Sequence, residues 1–172
     1  MRGLVEWLLV IGFALLLAFI VRTFLFRVTR VTGYSMEPTL SHGDILILNR
    51  VPYLFGSPQA EDIVAFPYPG NESDYFIKRV IAVPGDTVNL QDGSFFINSV
   101  PLEDAFSNEP VRSAFTVTFP LEVVGESFFV LGDNRNRSKD SRYPTVGNIS
   151  GDEMIGRVAI RIWPLGSIGR VS

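Results

Sequence analysis

A run in the middle of the chain reads Tyr75-Phe76-Ile77-Lys78-Arg79-Val80-Ile81-Ala82-Val83 and is followed by Pro84-Gly85-Asp86. Aromatic and β-branched residues that end in a Pro-Gly turn are typical of a β-strand. Because side chains alternate along a strand, Lys78 and Arg79 should point to opposite faces, and one of them should meet apolar neighbours. The run therefore predicts a strand that carries a charged residue on a buried face.

Similar short runs, separated by Gly, Pro and Asn, recur along the chain, and no convincing helix is visible after residue 26. This spacing predicts a mostly β fold with a complex antiparallel sheet, not the alternating strands and helices of a parallel one. A β-ribbon excursion is expected near residues 91–125, since the stretch 98–112 is polar. The other expected strands are residues 28–32, 44–49, 62–66, 86–90, 95–98, 115–119, 127–131 and 154–163.

The N-terminal segment has a different composition. Between Glu6 and Arg22, fifteen residues from Trp7 to Val21 carry no charged side chain. A helix of this length spans about 23 Å of a hydrocarbon core of roughly 30 Å, so flanking turns would supply the rest. We expect a transmembrane anchor at residues 1–26 and a β-rich domain at residues 27–172. A cleaved secretory signal is the alternative, but bulky residues follow the run where cleavage needs small ones.

Charge is distributed unevenly along the chain. Residues 1–30 carry a net charge of +3 and the remaining residues a net charge of −6. An acidic domain without a basic stripe argues against nucleic acid as a partner, whereas basic residues beside an apolar segment suit a lipid bilayer. Because Arg22, Arg27 and Arg30 follow the segment, the positive-inside rule alone would keep the domain in the cytoplasm. Nothing in the sequence indicates an oligomeric state.

Composition also excludes several kinds of chemistry. The chain has no cysteine, which excludes disulfides, thiolate metal sites and a cysteine nucleophile. It has one histidine, His42, which excludes a multi-histidine metal site. We therefore expect no metal and no cofactor.

The candidate nucleophile is Ser35, within Gly33-Tyr34-Ser35-Met36-Glu37-Pro38-Thr39-Leu40. A serine hydroxyl needs a base to take its proton. His42 is near in sequence but nothing marks a partner to orient it, so a solvated turn histidine is the simpler interpretation. Lys78 is the other candidate, because burial would lower its pKa toward a value useful for a base. The alternative for Lys78 is an edge-strand lysine that discourages aggregation.

A third polar element directly follows an apolar run and reads Gly132-Asp133-Asn134-Arg135-Asn136-Arg137-Ser138-Lys139-Asp140-Ser141-Arg142. Eleven such residues predict a tight loop held by hydrogen bonds from side chains to the backbone. Within it, Asp140 and Arg142 could pair. An ordinary ion-paired surface loop is the alternative.

Together these elements resemble the membrane-anchored type I signal peptidases of bacteria and organelles. The resemblance covers about residues 28–169. It rests on Ser-Met-x-Pro-Thr-Leu at 35–40, Gly-Asp-Ile-Leu at 43–46, Lys-Arg-Val-Ile at 78–81, Pro-Gly-Asp at 84–86, Gly-Asp-Asn-Arg-Asn-x-Ser-x-Asp-Ser-Arg at 132–142, Ile-Gly-Arg at 155–157 and Trp-Pro-Leu at 163–165.

The resemblance implies a Ser-Lys dyad, one of the known departures from Ser-His-Asp. Ser35 would be the acylated nucleophile and Lys78 the general base, while Ser138 would hydrogen-bond the lysine amine. The backbone N–H of Ser35 would be one oxyanion donor. The supporting residues would be Arg79, Asp140 and Arg142.

Two positions depart from the family pattern. Gly33 stands where some members have a serine that supplies a second oxyanion donor, and Arg137 stands where asparagine is frequent. The first departure leaves the second donor unassigned, and we expect the second to be tolerated.

The resemblance also implies the substrate and the location. Signal peptides of exported preproteins would be cleaved after small residues at positions −3 and −1. The peptide would add as a strand beside residues 28–34 and 74–77. The domain would lie on the trans side of the plasma membrane, with a thylakoid-type membrane as the alternative. Shallow apolar pockets would be walled by Met36, Leu40, Phe76 and Ile77.

The sequence leaves two alternative interpretations of the function. One is a related Ser-Lys peptidase such as the self-cleaving repressors, which carry a DNA-binding domain that this sequence lacks. The other is a catalytically silent, membrane-tethered β domain that binds partners.

Overall fold

The structure is a computed structural model that describes residues 2–20, 25–68, 71–103, 106–107, 109–112 and 115–171. It begins with helix α1, Arg2–Ile20. Apolar side chains between Leu4 and Phe19 are exposed along this helix. Among the described residues, no helix combines the length and the apolar character required for a bilayer crossing. Part of the expected anchor, residues 21–24, lies outside the described residues.

The rest of the described chain is built mainly from antiparallel strands. The main sheet has eight strands within the described residues, in the spatial order β1-β2-β11-β3-β4-β9-β10, with β12 paired to β11. Their bounds are β1 Phe26–Arg30, β2 Ile45–Asn49, β3 Ile63–Tyr68, β4 Asn71–Ala82, β9 Ser127–Leu131, β10 Ile149–Ser150, β11 Gly156–Trp163 and β12 Gly169–Arg170.

A second sheet of four described strands has the order β7-β6-β5-β8. Its strands are β5 Thr87–Gln91, β6 Ser94–Ile97, β7 Val100–Pro101 and β8 Leu121–Glu122. The connection from β7 to β8 passes over the loop that follows β9, because Arg112 N–H donates to Asn136 Oδ1 at 3.0 Å.

The core consists of three apolar clusters of alternating strand residues. The first lies between β2, β4 and the segment after β1 and includes Val31, Met36, Leu40 and Ile77. The second joins the two sheets through Phe95 and Phe129. The third covers the other face of β3, β4 and β9 around Phe66 and Val80. From Ile77 to Ala82, both faces of β4 are therefore buried.

The predicted antiparallel β fold is confirmed, and the predicted strands overlap observed ones with one exception. Residues 115–119 are not a strand. Phe115 has a φ of +54°, which strands do not use, and its ring lies 4.2 Å from that of Tyr143. The sequence also missed the short helix α2, Pro52–Phe55, which has its proline in the first turn where no backbone donor is lost.

Candidate active site

The turn that carries Ser35 connects β1 to β2. Its ends are tied together, since Val31 N–H donates to the Asp44 carbonyl at 2.8 Å and Gly43 N–H donates to the Val31 carbonyl at 2.9 Å. Met36 and Leu40 are buried in the first core cluster and fix the turn from below. Gly33, two residues before Ser35, has a φ of +105°, a conformation that favours glycine. Ser35 is thus held on a short turn with both ends fixed.

Lys78 approaches this turn from β4. Its side chain is buried, with 2% relative exposure. Its Nζ atom lies 2.8 Å from Ser35 Oγ and 3.0 Å from the carbonyl oxygen of Ile77. The Phe76 ring lies 4.6 Å from the amine. The structure therefore brings together the two residues that the sequence selected as nucleophile and base, across a separation of 43 residues.

Burial lowers the pKa of Lys78 to about 8, from an ordinary value of 10.5. The negative charges of Asp140 and Asp133 act in the opposite direction and limit the shift. At this pKa a substantial fraction of the amine is neutral near pH 8. A neutral amine within hydrogen-bond distance of a hydroxyl can take its proton.

Arg79, the next residue, is buried on the other face of β4. Its guanidinium donates to both carboxylate oxygens of Asp133 at 2.9 Å, and Thr39 Oγ1 lies 2.6 Å from the same carboxylate. The sequence predicted that one of Lys78 and Arg79 meets a buried environment, and in the structure both are buried. This is possible because the charge on the second face is compensated by a bidentate ion pair.

Asn134 holds the serine turn from the opposite side. Its backbone N–H donates to the Ser35 carbonyl at 3.0 Å, and its Nδ2 donates to the Tyr34 carbonyl at 3.2 Å. The Tyr34 carbonyl and the Ser35 N–H belong to the same planar peptide group. Asn134 therefore fixes the direction in which the Ser35 N–H points.

The loop 132–142 is closed by the ion pair that the sequence suggested. Arg142 donates to both oxygens of Asp140 at 2.8 Å, and both side chains are almost fully buried. Asp140 Oδ2 also accepts from the Gly132 N–H at 3.2 Å, and Arg142 donates to the Arg135 carbonyl at 2.6 Å. These contacts hold the two ends of the loop at a fixed distance.

Ser138 is buried in this loop, but its Oγ has no hydrogen-bond partner among the described residues. It contacts Gly132, where a Cβ atom would overlap both Ser138 Oγ and the Ser35 carbonyl oxygen. Glycine at 132 thus lets the loop approach the serine turn. The hydrogen bond from Ser138 to the lysine amine is absent here, and its supporting role stays a prediction.

The four expected pocket residues divide between the two faces of β4. Ile77 lies with Met36 and Leu40 in the first cluster, below the serine turn. Phe76 packs against the third cluster, on the other face, and stacks edge-on with Phe66. Three of the four residues therefore lie together on one face of β4, while Phe76 contacts the lysine amine, and their role in binding substrate stays a prediction.

His42 is exposed at the end of the serine turn, and its hydrogen bond in the structure is to the backbone of that turn. Its Nδ1 accepts a hydrogen bond from Gly33 N–H at 3.1 Å, and its ring lies 5.5 Å from that of Tyr34. The interpretation of His42 as a merely solvated side chain is incomplete, because it binds the backbone of the nucleophile turn.

The edge of β4 next to this site is open. β4 pairs with β3 along residues 71–79, but with β9 only from Arg79 onward. The guanidinium carbon of Arg27 in β1 lies 4.6 Å from the Tyr75 ring centre of β4. Among the described strands, none pairs with β4 before Arg79 on the side away from β3, so this edge is open up to Lys78.

No group of three or more potential metal ligands occurs among the described residues.

Three contributors to the site were not selected from the sequence: Thr39, Asp133 and Asn134. Asp133 carried a usable signal, since it is an acidic residue directly after a buried strand and had no assigned partner. The pairing of Asp133 with Arg79 depends on sheet register, which the sequence does not show.

A hydroxyl and a buried amine at 2.8 Å, on a turn against an antiparallel sheet, define a site able to perform serine hydrolase chemistry. Comparison with known proteins agrees with this class. The family model described as signal peptidase, peptidase S26, matches residues 4–163. The chain therefore belongs to the signal peptidase family, peptidase S26, and is a serine endopeptidase.

Individual relatives extend over most of the chain. A signal peptidase I of Leptolyngbya laminosa is 36% identical over 98% of this chain and 84% of its own length. Signal peptidase IB of Staphylococcus aureus is 32% identical over 95% of this chain and 91% of its own length. The crystal structure of a signal peptidase I from Enterococcus faecalis is 35% identical and superposes with a TM-score of 0.50, covering 59% of this chain and 97% of that one.

Proposed function

We propose that this chain removes N-terminal signal peptides from exported preproteins, with Ser35 as nucleophile and Lys78 as general base. The observation that carries the assignment of residues is the 2.8 Å distance between Ser35 Oγ and Lys78 Nζ. Family membership supports the reaction, and the geometry supports the two residues that perform it.

The proposed chemistry has two steps. Neutral Lys78 takes the proton of Ser35 Oγ as the oxygen attacks the carbonyl carbon of the scissile bond, and the ammonium then protonates the leaving amine. In the acyl-enzyme that remains, Lys78 then removes a proton from water as the water oxygen attacks the acyl carbon. The ester bond to Ser35 Oγ breaks, and the ammonium returns the proton to that oxygen, which regenerates the free serine. The Ile77 carbonyl, 3.0 Å from Nζ, keeps the amine aimed at the hydroxyl in both steps.

The oxyanion would be bound by the backbone N–H of Ser35. Donors of this kind are effective when they are fixed before the reaction starts. Asn134 supplies the fixation, because it holds the Tyr34 carbonyl of the same peptide group at 3.2 Å. Gly33 has no side chain to add a second donor.

The substrate would bind as an additional strand on β4. Val80 N–H donates to the Asp62 carbonyl and Glu61 N–H donates to the Val80 carbonyl, so even-numbered residues of β4 face β3. Because the direction alternates, the backbone groups of Tyr75 and Ile77 face the open edge. An extended peptide lying there would place its scissile bond beside Ser35.

Selection for small residues would follow from the packed residues that lie under the bound peptide. Ile77 and Met36 are nearly buried and Leu40 has no exposed surface. A floor that is already packed leaves room for alanine side chains and excludes larger ones. This would account for cleavage after small residues at positions −3 and −1.

We also propose that residues 1–26 anchor the chain in the bilayer. Support comes from the exposed apolar side chains of α1, which include Leu8, Leu9, Phe13 and Leu16. The catalytic domain, residues 27–172, would lie on the trans side of the plasma membrane, where cleavage sites emerge.

The decisive experiment measures cleavage of a preprotein with an Ala-x-Ala site by the full chain in detergent micelles. Ser35→Ala and Lys78→Ala should each lower kcat by at least about a thousandfold, because residues of a dyad act as a unit. Activity of the wild type should rise through pH 8 as the Lys78 amine becomes neutral.

The chain offers matched controls, since Lys139 is the second of its two lysines and Ser41 is an exposed serine of the same turn. Lys139→Ala and Ser41→Ala should retain activity. Turnover by a folded Lys78→Ala variant would show that another group is the base.

A further inference from the structure

The side chain of His42 contacts the nucleophile turn at one defined atom. Its Nδ1 atom accepts from the Gly33 N–H at 3.1 Å. An imidazole nitrogen accepts a hydrogen bond only when it carries no proton. The contact therefore requires neutral His42 with its proton on Nε2.

The bonded N–H belongs to Gly33, two residues before Ser35, and a glycine backbone is conformationally permissive. Gly33 has a φ of +105° and no side chain to pack, so its backbone N–H is the place where the turn can be fixed. On the far side of Ser35, Met36 is already buried in the core. The hydrogen bond between Gly33 and His42 thus fixes the turn before Ser35, and the packing of Met36 fixes it after Ser35.

The neighbouring peptide connects this contact to the reacting groups. The Tyr34 carbonyl, whose peptide group includes the Ser35 N–H, accepts from Asn134 at 3.2 Å. The Tyr34 ring also stacks on the imidazole at 5.5 Å. Loss of the Gly33 contact would free the segment that orients both the hydroxyl and the oxyanion donor.

The charged groups near His42 come from its own turn, from β1 and from β11. Asp44, two residues on, is buried and paired with Arg161 of β11 at 2.9 Å. Arg30 of β1 lies near the turn, with its Nη2 atom 3.6 Å from the point where a Cβ atom at Gly43 would lie. Tyr34, earlier in the same turn, also carries a titratable side chain. Histidine is the side chain that ordinarily changes charge between about pH 5 and 8.

We propose that His42 is a positioning residue: its unprotonated Nδ1 holds the Gly33 N–H, and protonation of the imidazole releases the nucleophile turn, so that cleavage decreases in acid beyond the loss caused by Lys78 alone. The inference rests on the proposed function, since it concerns the turnover of the same site.

Three substitutions distinguish a role of His42 as hydrogen-bond acceptor for Gly33 from a role in packing alone. In His42→Asn, Oδ1 stands at the position of Nδ1 and can accept from Gly33, but it does not titrate. In His42→Gln, the amide stands at the position of Nε2 and the acceptor at Nδ1 is lost. His42→Ala removes both. Because His42 is exposed, all three variants should fold, and thermal unfolding verifies this at each pH.

The measured quantity is kcat for an Ala-x-Ala preprotein, compared with the wild type from pH 5 to pH 9. Taking the ratio cancels the contribution of Lys78. At pH 8.5, His42→Asn should match the wild type within about twofold, whereas His42→Gln and His42→Ala should lose about three- to tenfold, the usual worth of one hydrogen bond. Toward pH 5, the ratio of His42→Asn to wild type should rise to about three- to tenfold, since only the wild type loses the contact.

Equal kcat for the Asn and Gln variants at pH 8.5 would overturn the proposal, as would a ratio of Asn variant to wild type that stays constant with pH. Ser35→Ala and Lys78→Ala are measured in parallel. If these retain turnover, the proposed function itself has failed; if they are inactive and the ratio is constant, only the role of His42 has.

Discussion

At the scale of single residues, Lys78 illustrates how function opposes stability. Below pH 8 the folded protein holds a protonated amine in a site that burial makes unfavourable for charge. The pKa is lower in the folded state, about 8, than the ordinary 10.5, so the unfolded chain binds more protons between these values. Stability should therefore rise with pH across that window, and the cost below pH 8 is about 3 kcal/mol.

This cost predicts the behaviour of Lys78→Met, which fills similar space without a charge. The variant should be inactive but more stable than the wild type at pH 7, by about 1–3 kcal/mol after the loss of the hydrogen bond to Ser35. The difference should shrink above pH 8 and vanish near pH 10.5. Chemical denaturation at pH 7, 9 and 10.5 measures it, with Lys139→Met as control. A gap that does not depend on pH would show that Lys78 is not the group whose charge is penalised.

The sequence indicated candidate residues for the site, but it did not indicate most of their contacts. Ser35 and Lys78 could be selected because each is a reactive side chain in an unusual local setting. Asp133 could not be matched to Arg79, and Asn134 could not be matched to Ser35, since these pairs are 54 and about 100 residues apart and depend on how β4, β9 and the serine turn meet. Ser138 was placed correctly in the loop, but its expected hydrogen bond to the amine is absent.

At the scale of elements, β4 determines the site. It is buried on both faces from Ile77 to Ala82, supplies Lys78 and Arg79 to opposite sides, and leaves one edge open before β9 begins. Long strands such as β4 and β11 were predictable from composition. Two-residue strands such as β7, β8, β10 and β12 were not, because a pair of residues has no periodicity, and their pairing is decided by the neighbouring strand.

The open edge of β4 predicts a periodic response of the substrate. If the signal peptide pairs with Tyr75 and Ile77, alternate peptide N–H groups upstream of the scissile bond donate to β4 and the others do not. N-methylation of a donating amide should raise KM about three- to tenfold, and N-methylation of its neighbour should change it less. Steady-state kinetics on a set of methylated peptides measures this. A uniform response along the peptide would exclude strand addition on β4.

At the scale of the whole molecule, the distribution of charge and the proposed reaction predict opposite orientations of the domain relative to the membrane. The arginines at 22, 27 and 30 follow the apolar segment and favour a cytoplasmic domain. The proposed substrate would instead present its cleavage site on the trans side. The acidic domain does not settle the matter, because acidic residues contribute little to orientation. We expect the requirement for substrate to prevail.

The absence of cysteine makes the orientation measurable with single introduced thiols. Phe55→Cys places one on α2, at a side chain with 89% exposure, and Gly3→Cys places one at the start of α1, where a Cβ atom has open space around it. With the domain on the trans side, a membrane-impermeant maleimide should label Phe55→Cys in intact cells and Gly3→Cys only after permeabilisation. The reverse pattern would place the catalytic domain in the cytoplasm, as the distribution of arginines predicts. In that orientation the domain could not reach cleavage sites that have crossed the membrane. Labelling of both variants in intact cells would mean that residues 1–26 do not cross the bilayer at all, so that α1 rests on its surface through the same exposed apolar side chains.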